Sequence, residues 1–595
     1  MFVGCVALAT SCDLTENVQV KADKSMIFGS KSGLELYSNS FYKALPTLKN
    51  GFMQDKMCDV GAVSNTDTFI KQGAYNTETA TSWSWGALKN INYFIDGCND
   101  PKYCTVDDNT RDNYLGIARW FRAWFYYDKL TTYGEVPWFP HDIQSYQNDV
   151  MYKDRDSRDV IIRNLIADLD FAYEHIQATS STGSSTLTRW AAAALKSRVC
   201  LFEAAYRRYH NLTELEITPE ELYREAAKAA KLVIDNSGCS LNTATGKKGA
   251  YRDLFYNETP LTQEVILAVC ANEKSGIFGE QNWWFNARSY GLCWSLVRSF
   301  VHTYLKLDGT PFTDDADYAV KSFTEEMEGR DLRLEQTVRG RNFLWDGKTA
   351  VADIKNLSLT GYQVIKYTLD ESKYDGGAKN INSIPLIRYA EVLLNYAEAQ
   401  AELGVITDSE WALTVGALRK RAGITSGTET LPTTVDGYLQ RTFYPDVTSP
   451  VLLEIRRERA IELVAEGMRF DDLRRWKCGS LMETLPWSGI HIPGLEQPVD
   501  VNGDGVDDYY FTEGEVTAAP AAYRNIAIRV NQDGVGLYAE ANAVAGYDLV
   551  YKTGAGDRYW YPDGRQYLYP IPAKVIRDYK NAGYTISQNP YWDNE

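Results

Sequence analysis

Residues 455–476 read Ile455-Arg-Arg-Glu-Arg-Ala-Ile-Glu-Leu-Val-Ala-Glu-Gly-Met-Arg-Phe-Asp-Asp-Leu-Arg-Arg-Trp476, and this stretch decides the fold. Its apolar residues keep helical spacing, and Gly467 supplies a stop, so a long helix is predicted over about Pro450 to Glu466. A shorter helix, Phe470–Trp476, follows. The Arg and Glu residues of 454–466 stand three and four apart, which predicts ion pairs along a helix flank. Arg469 and Asp472 have the same separation and are expected to pair.

Outward from this stretch, four more segments carry the same period. Tyr114–Leu130 is apolar almost all round, with Ile117, Ala118, Phe121, Ala123, Trp124, Phe125 and Tyr127, and predicts a central buried helix. Its Arg119 and Arg122 then need carboxylate or carbonyl partners inside the bundle. Leu187–Ala205 and Tyr223–Ile234 line up Ala residues on one face, and Leu386–Leu403 does the same before a stop at Gly404. Small faces let helices approach closely, and paired helices of this length predict a mainly α, tetratricopeptide-like scaffold. Between the helices lie 237–300, 335–385 and 485–570, rich in Gly, Asn, Thr and Tyr. These are too long for simple connections and predict loop insertions with a few short strands, where binding chemistry would sit. The expected organisation is a processing signal at 1–12 and one domain over 13–595. Its scaffold would cover about 85–236 and 385–477, its ligand-binding insertions about 237–384, and its C-terminal insertion about 485–560.

The 595-residue chain carries a net charge of −17, which argues against nucleic acid, because phosphate contacts need a basic face. Aromatic residues reach 13%, with 40 Tyr, 15 Trp and 21 Phe. Most belong in a core, but Tyr and Trp also suit a surface that must be apolar and wet at once, as a sugar requires. Ten Cys contain no CxxC pair, so zinc ribbons and thioredoxin-type sites have no support. Cys98 and Cys104 could bridge a short loop or stay free thiols. The five His form no HExxH, and no GxSxG is present. Gly347-Lys348-Thr349 resembles the end of a phosphate-binding loop, but Gly340 lies six residues ahead where four are required. Acidic residues are plentiful without any pair standing out, so a glycoside hydrolase is the alternative to a non-enzyme. An intracellular helical-repeat scaffold that binds proteins is another.

The first twelve residues, MFVGCVALATSC, are apolar, end in small residues and run into polar sequence at Asp13. They read as the end of a secretory signal, too short to span a membrane. Ala9-Thr10-Ser11-Cys12 resembles a bacterial lipobox, which predicts lipidation of Cys12 and a chain that is anchored rather than embedded.

Five motifs now fall into one order. Tyr114-Leu-Gly-Ile-Ala-Arg-Trp-Phe-Arg-Ala-Trp-Phe-Tyr-Tyr-Asp-Lys-Leu-Thr-Thr-Tyr-Gly-Glu-Val-Pro137 resembles the aromatic helix of the SusD/RagB family. Asn380-Ile-Asn-Ser-Ile-Pro-Leu-Ile-Arg-Tyr-Ala-Glu-Val-Leu-Leu-Asn-Tyr-Ala-Glu-Ala399 resembles its Pro-x-Ile-Arg-x-Ala-Glu helix, and residues 455–476 are the closest match. Tyr567-Leu-Tyr-Pro-Ile-Pro572 and Gln588-Asn589-Pro590 complete the order. Thr81, Gly416 and Tyr591 depart from the family pattern. The resemblance implies a cell-surface lipoprotein on a Bacteroidetes-type outer membrane. It would capture oligosaccharide or polysaccharide for a TonB-dependent SusC-like transporter, over which it sits as a lid. Some relatives resemble peptide-capture proteins instead.

Two sets of candidate residues follow. Asp500, Asn502, Asp504, Val506 and Asp508 fit D-x-[DN]-x-D-G-x-x-D, with Gly505 at the turn and Val506 offering its carbonyl. Alternate oxygens around one centre predict a structural Ca2+ that pins the C-terminal insertion, although Phe511 stands where a full EF-hand has Glu. For sugar, Phe278–Tyr290 is the densest stretch, placing Trp283, Trp284 and Tyr290 beside Asn282, Asn286 and Arg288. Adjacent Trp residues in a strand or loop point to opposite sides, so at most one of the two is expected to face ligand. Trp83 and Trp345 are the further candidates.

Overall fold

The computed structural model describes residues 24–49, 53–286, 292–354 and 356–593. The scaffold is helical. It runs through α1 (Gly86–Cys98), α2 (Asp108–Tyr133), α3 (Arg158–His175), α4 (Arg189–Tyr209) and α5 (Pro219–Asn236). After a long excursion it resumes with α6 (Tyr389–Glu402), α7 (Pro450–Glu462) and α8 (Arg469–Arg475). Consecutive helices α1 to α5 pack on one another, and α6 returns to lie against α5 and α7. This is the mainly α, tetratricopeptide-like architecture expected. Each start has a local cause. Asp107, Ser157, Thr188 and Ser449 accept backbone N–H groups of the first turn, and Thr218 forms a reciprocal capping box with Glu221 ahead of Pro219. On α4 and α5 the fully buried Ala191, Ala204, Ala226 and Ala230 permit close contact.

Two boundaries differ from the sequence reading. Leu386, Ile387 and Arg388 belong to strand β2 (Ile384–Arg388), which pairs antiparallel with β1 (Val265–Val269), so α6 starts at Tyr389. Tyr389 N–H donates to the Glu264 carbonyl, which carries the chain from ladder into helix. Helix α7 ends at Glu462, because Ala465 takes a positive φ of 61° before Gly467 at 78°.

The larger correction concerns charge. The Arg/Glu run is buried, at residues 454, 456–459 and 462, and of the same-helix pairs expected Arg457–Glu454 forms at 3.1 Å. Their partners come mostly from other elements. Glu462 receives Arg333, Arg388 and Arg421, while Glu466 receives Arg388 and Lys366. Arg469 does not pair with Asp472; it grips Asp59, while Asp472 holds Arg459 and Arg475. Sequence spacing sees only neighbours on one helix, whereas burial forces each charge to find a counter-charge wherever the fold supplies it. Arg122 behaves as expected, with a bidentate bond to Asp168 and another to the Pro140 carbonyl. Cys98 and Cys104 are free thiols. No described helix is long and apolar enough to cross a membrane.

The C-terminal insertion supplies two small sheets. β3 (Ser488–Ile492), β7 (Gly536–Ala541) and β8 (Tyr547–Lys552) form one, with β8 central. β4 (Pro498–Val499), β5 (Tyr509–Thr512) and β6 (Ala527–Arg529) form the other, with β5 central. The Asp500–Asp508 loop is the connection between β4 and β5. Helix α9 (Ala573–Asn581) precedes Gln588-Asn589-Pro590, whose Asn589 amide donates to the Tyr133 and Tyr569 carbonyls and fastens the chain end to α2.

Candidate functional site

The stretch Gln281–Asn286 is a short helix, not the strand or loop expected. Its anchor is the fully buried Asn282, whose amide spans the Leu369 backbone on both sides and receives Asn380 Nδ2 at 2.6 Å. A helix turns side chains by about 100° per residue, so Trp283 and Trp284 still diverge. Trp284 packs on the core and donates from Nε1 to the Lys49 carbonyl at 3.1 Å. Trp283 stays half exposed and lies along the backbone of Gly377, where a Cβ would come 3.4 Å from its ring.

Trp345 is brought to the same side by a hairpin, Leu344–Trp345 paired with Lys348–Thr349. Asp346 and Gly347 both have positive φ, 49° and 74°, which a two-residue turn matched to strand twist requires. Asp346 accepts Ser372 N–H at 2.9 Å and donates its own N–H to the Asp370 carbonyl at 3.1 Å. Asp370 in turn takes a bidentate bond from Arg252. The hairpin is thus fastened to the 369–380 loop that carries Gly377 under Trp283.

Asp375 joins the two halves. Its Oδ1 accepts the amides of Asn282 and Asn286, each at 3.2 Å, and Asn286 Oδ1 accepts Gln363 Nε2 at 3.1 Å. Burial raises the Asp375 pKa above the usual carboxylate range, against the opposing pull of the two amides and Arg339. Arg339 is buried with no ion pair, bonded to the Val351 carbonyl and lying 4.9 Å from the Phe343 ring centre and 5.5 Å from that of Trp345. Burial lowers its pKa below the ordinary arginine value. The half-exposed Trp283 and Trp345 are thus each fastened to the 369–380 loop, whose Asp375 meets the Asn282 and Asn286 amides.

The structure therefore brings together Trp283, Trp284, Asn286 and Trp345. Trp83 is not with them; it lines a separate cleft against α9. Arg288, Tyr290 and Cys12 lie outside the described residues. Phe343, Arg339, Gln363 and Asp375 were missed. The Asp346-Gly347 dipeptide was the available signal, because Asp-Gly between strand-forming residues marks a hairpin; reading it as a failed phosphate loop hid Trp345's support.

In the calcium-type loop, Asp500 accepts Gly503 and Gly505 N–H groups at 2.7 and 2.8 Å, and Asn502 accepts Asp504 N–H at 3.0 Å. Asp504 accepts Val506 N–H at 2.9 Å, and Asp508 accepts Val501 N–H at 2.8 Å. Burial raises the Asp508 pKa, with Asp500 and Asp504 adding like charge. The carboxylates here serve the loop's own backbone, and among the described residues no three acidic, His or Cys groups converge at metal-holding distance.

Residues 263–592, more than half of the chain, with most of the first insertion and all of the second, match the SusD family. The chain belongs to the SusD family. A SusD-like protein of Formosa agariphila is 25% identical over 378 residues, spanning 61% of this chain and 66% of that one. Among solved structures, a SusD-like protein from Bacteroides fragilis is 20% identical, covers 96% of this chain and 98% of its own, and has a TM-score of 0.63. A SusD-like carbohydrate binding protein from the same species is 19% identical, covers 94% and 99%, and has a TM-score of 0.66. At such identities these structures speak for the shared SusD fold.

Proposed function

We propose that this SusD-family protein is a cell-surface lipoprotein, not an enzyme, which captures glycan and passes it to a SusC-like TonB-dependent transporter. The observation that carries this is the Trp283–Asn286–Asp375–Trp345 cluster. Half-exposed indoles offer flat apolar faces to pyranose C–H groups, and the amides and carboxylate of the same cluster can meet hydroxyls. Asp375 is engaged by two asparagine amides, which suits a frame for binding. The likeness to a carbohydrate binding protein of the same fold supports the reading. A glycan array followed by isothermal titration tests it, with co-isolation of a TonB-dependent barrel as the second arm. Saturable binding without hydrolysis is expected. Release of shortened sugar would replace capture by hydrolysis, and binding of peptides alone would replace glycan by peptide.

We further propose that Cys12 is lipidated and that the Asp500–Asp508 loop takes a structural calcium ion. A palmitate analogue should label the wild type and not Cys12→Ala. Calcium should raise the melting temperature and a chelator lower it; indifference to both removes the metal.

A further inference from the structure

A second concavity, of roughly 1180 Å³, lies between the start of α1, the 139–152 segment and α9. It shares no residue with the Trp345 face. One wall is aromatic, with Trp85 in edge contact with Trp83 at 5.3 Å and with Phe139 at 5.2 Å. Tyr152 and Tyr579, themselves 5.1 Å apart, also line it. Its size is at the upper end for small-molecule clefts, so it can hold several linked rings rather than one.

The indole donors are informative. Trp120, Trp190, Trp294 and Trp411 each donate Nε1–H to a backbone carbonyl of the protein. Trp83 and Trp85 are both half exposed, and among the described residues neither indole N–H has a hydrogen-bond partner. They offer apolar faces together with free donors, the combination a sugar ring and its hydroxyls use. At the rim Arg577 pairs with Glu78 at 2.5 Å and Lys574 with Asp578 at 2.5 Å, His141 Nδ1 lies 2.8 Å from Asp96, and Lys89 has no ion pair among the described residues. Apart from Lys89 the rim charges cancel in pairs, so a neutral ligand loses little there.

We propose that this cleft is a second saccharide-binding site, taking a neutral oligosaccharide independently of the Trp345 face. It rests on the glycan-capture reading but concerns different residues. The test is isothermal titration of the full chain with maltohexaose, cellohexaose, xylohexaose and mannohexaose. The variants are Trp83→Ala, Trp345→Ala and Ala582→Trp, the last filling the cleft from an exposed rim position. Wild type should show two classes of site, and Trp345→Ala should keep only the cleft. Trp83→Ala and Ala582→Trp should each weaken the cleft site roughly tenfold or more and leave the other intact. If a probe binds wild type and both cleft variants match it, the second site is wrong while glycan capture stands. If no probe binds wild type, the neutral second site is wrong, and glycan capture is decided separately by the array.

Discussion

The junction around Glu462 and the face around Trp345 are built from opposite materials. At the junction, Glu462 and its partners Arg333, Arg388 and Arg421 are all buried, and every one of these charges meets an opposite charge. Glu264 and Glu466 extend the same network through Arg388. At the face, Trp345 is half exposed and Arg339 is covered by rings with no carboxylate bonded to it. The contrast separates two tasks. A buried ion network has few tolerable arrangements, so it sets how helices and insertions meet. A ring with an open side has unspent contact area, so it can bind.

The largest effect should come from breaking the junction. Glu462→Gln removes the charge shared by three arginines and leaves them buried without it. Removing one partner of a buried pair costs roughly 3–5 kcal/mol. Urea unfolding should show that loss, with a clear fall in melting temperature. A change within about 0.5 kcal/mol would mean that the network is relaxed and solvated, and the contrast with the face would disappear.

Acid attacks the scaffold by another route. His210 is largely buried, donates to the Arg474 carbonyl and has its pKa lowered from 6.5 to about 4, chiefly by burial. The unfolded chain therefore binds this proton more readily than the native one. Stability from His210 is complete above pH 6.5 and is lost as pH falls toward 4. The loss should be on the order of 2 kcal/mol after allowance for its part exposure. His210→Gln keeps a donor without the titration, so its melting temperature should decline less across this window. Parallel curves for the two proteins would remove His210 from the account.

The scaffold was legible where helical period survives in sequence: α2, α4, α5, α6 and α7 were expected and Gly404 stops α6 where predicted, but the 18-residue α3 was not foreseen. What spacing could not show was depth. Arg457 and Glu458 look like a helix flank in one dimension, and only the packing of other elements shows them buried. The face was half legible for a related reason. Trp283 and Trp345 stand out by type, but Asp375 and Arg339 are ordinary residues whose importance comes from long-range contact. Trp83 was grouped with them by type, although the fold carries it to another surface.

A sharper separation compares two tryptophans, Trp345 and Trp284. Trp345→Ala should weaken glycan binding by about 1–3 kcal/mol with folding nearly unchanged, because the ring is half exposed. Trp284→Ala should do the reverse, since that indole packs on the core and bonds to Lys49. Isothermal titration and thermal melts on both variants decide the matter. If Trp284→Ala loses binding while keeping its melting temperature, the assignment of the two rings is inverted.

The smallest effect is the most diagnostic, because one perturbation can be placed in either region. Gly347 and Gly404 have nearly equal φ, 74° and 72°, and a Cβ on either would touch nothing within 4 Å. Alanine at each position therefore meets the same intrinsic penalty for the left-handed conformation, about 1 kcal/mol. In the scaffold, Gly404→Ala strains the end of α6, a helix held by the buried core, and the cost should appear in global stability with binding unchanged. In the hairpin, Gly347→Ala strains a turn whose strands are two residues each and whose hold on the rest runs mainly through Asp346. A local opening that releases Trp345 is easier there than unfolding the whole chain. Gly347→Ala should therefore weaken glycan binding about fivefold with little change in melting temperature. If both variants lose melting temperature equally and bind alike, the hairpin is as rigidly tied to the core as α6, and the face is part of the scaffold rather than a separate layer on it.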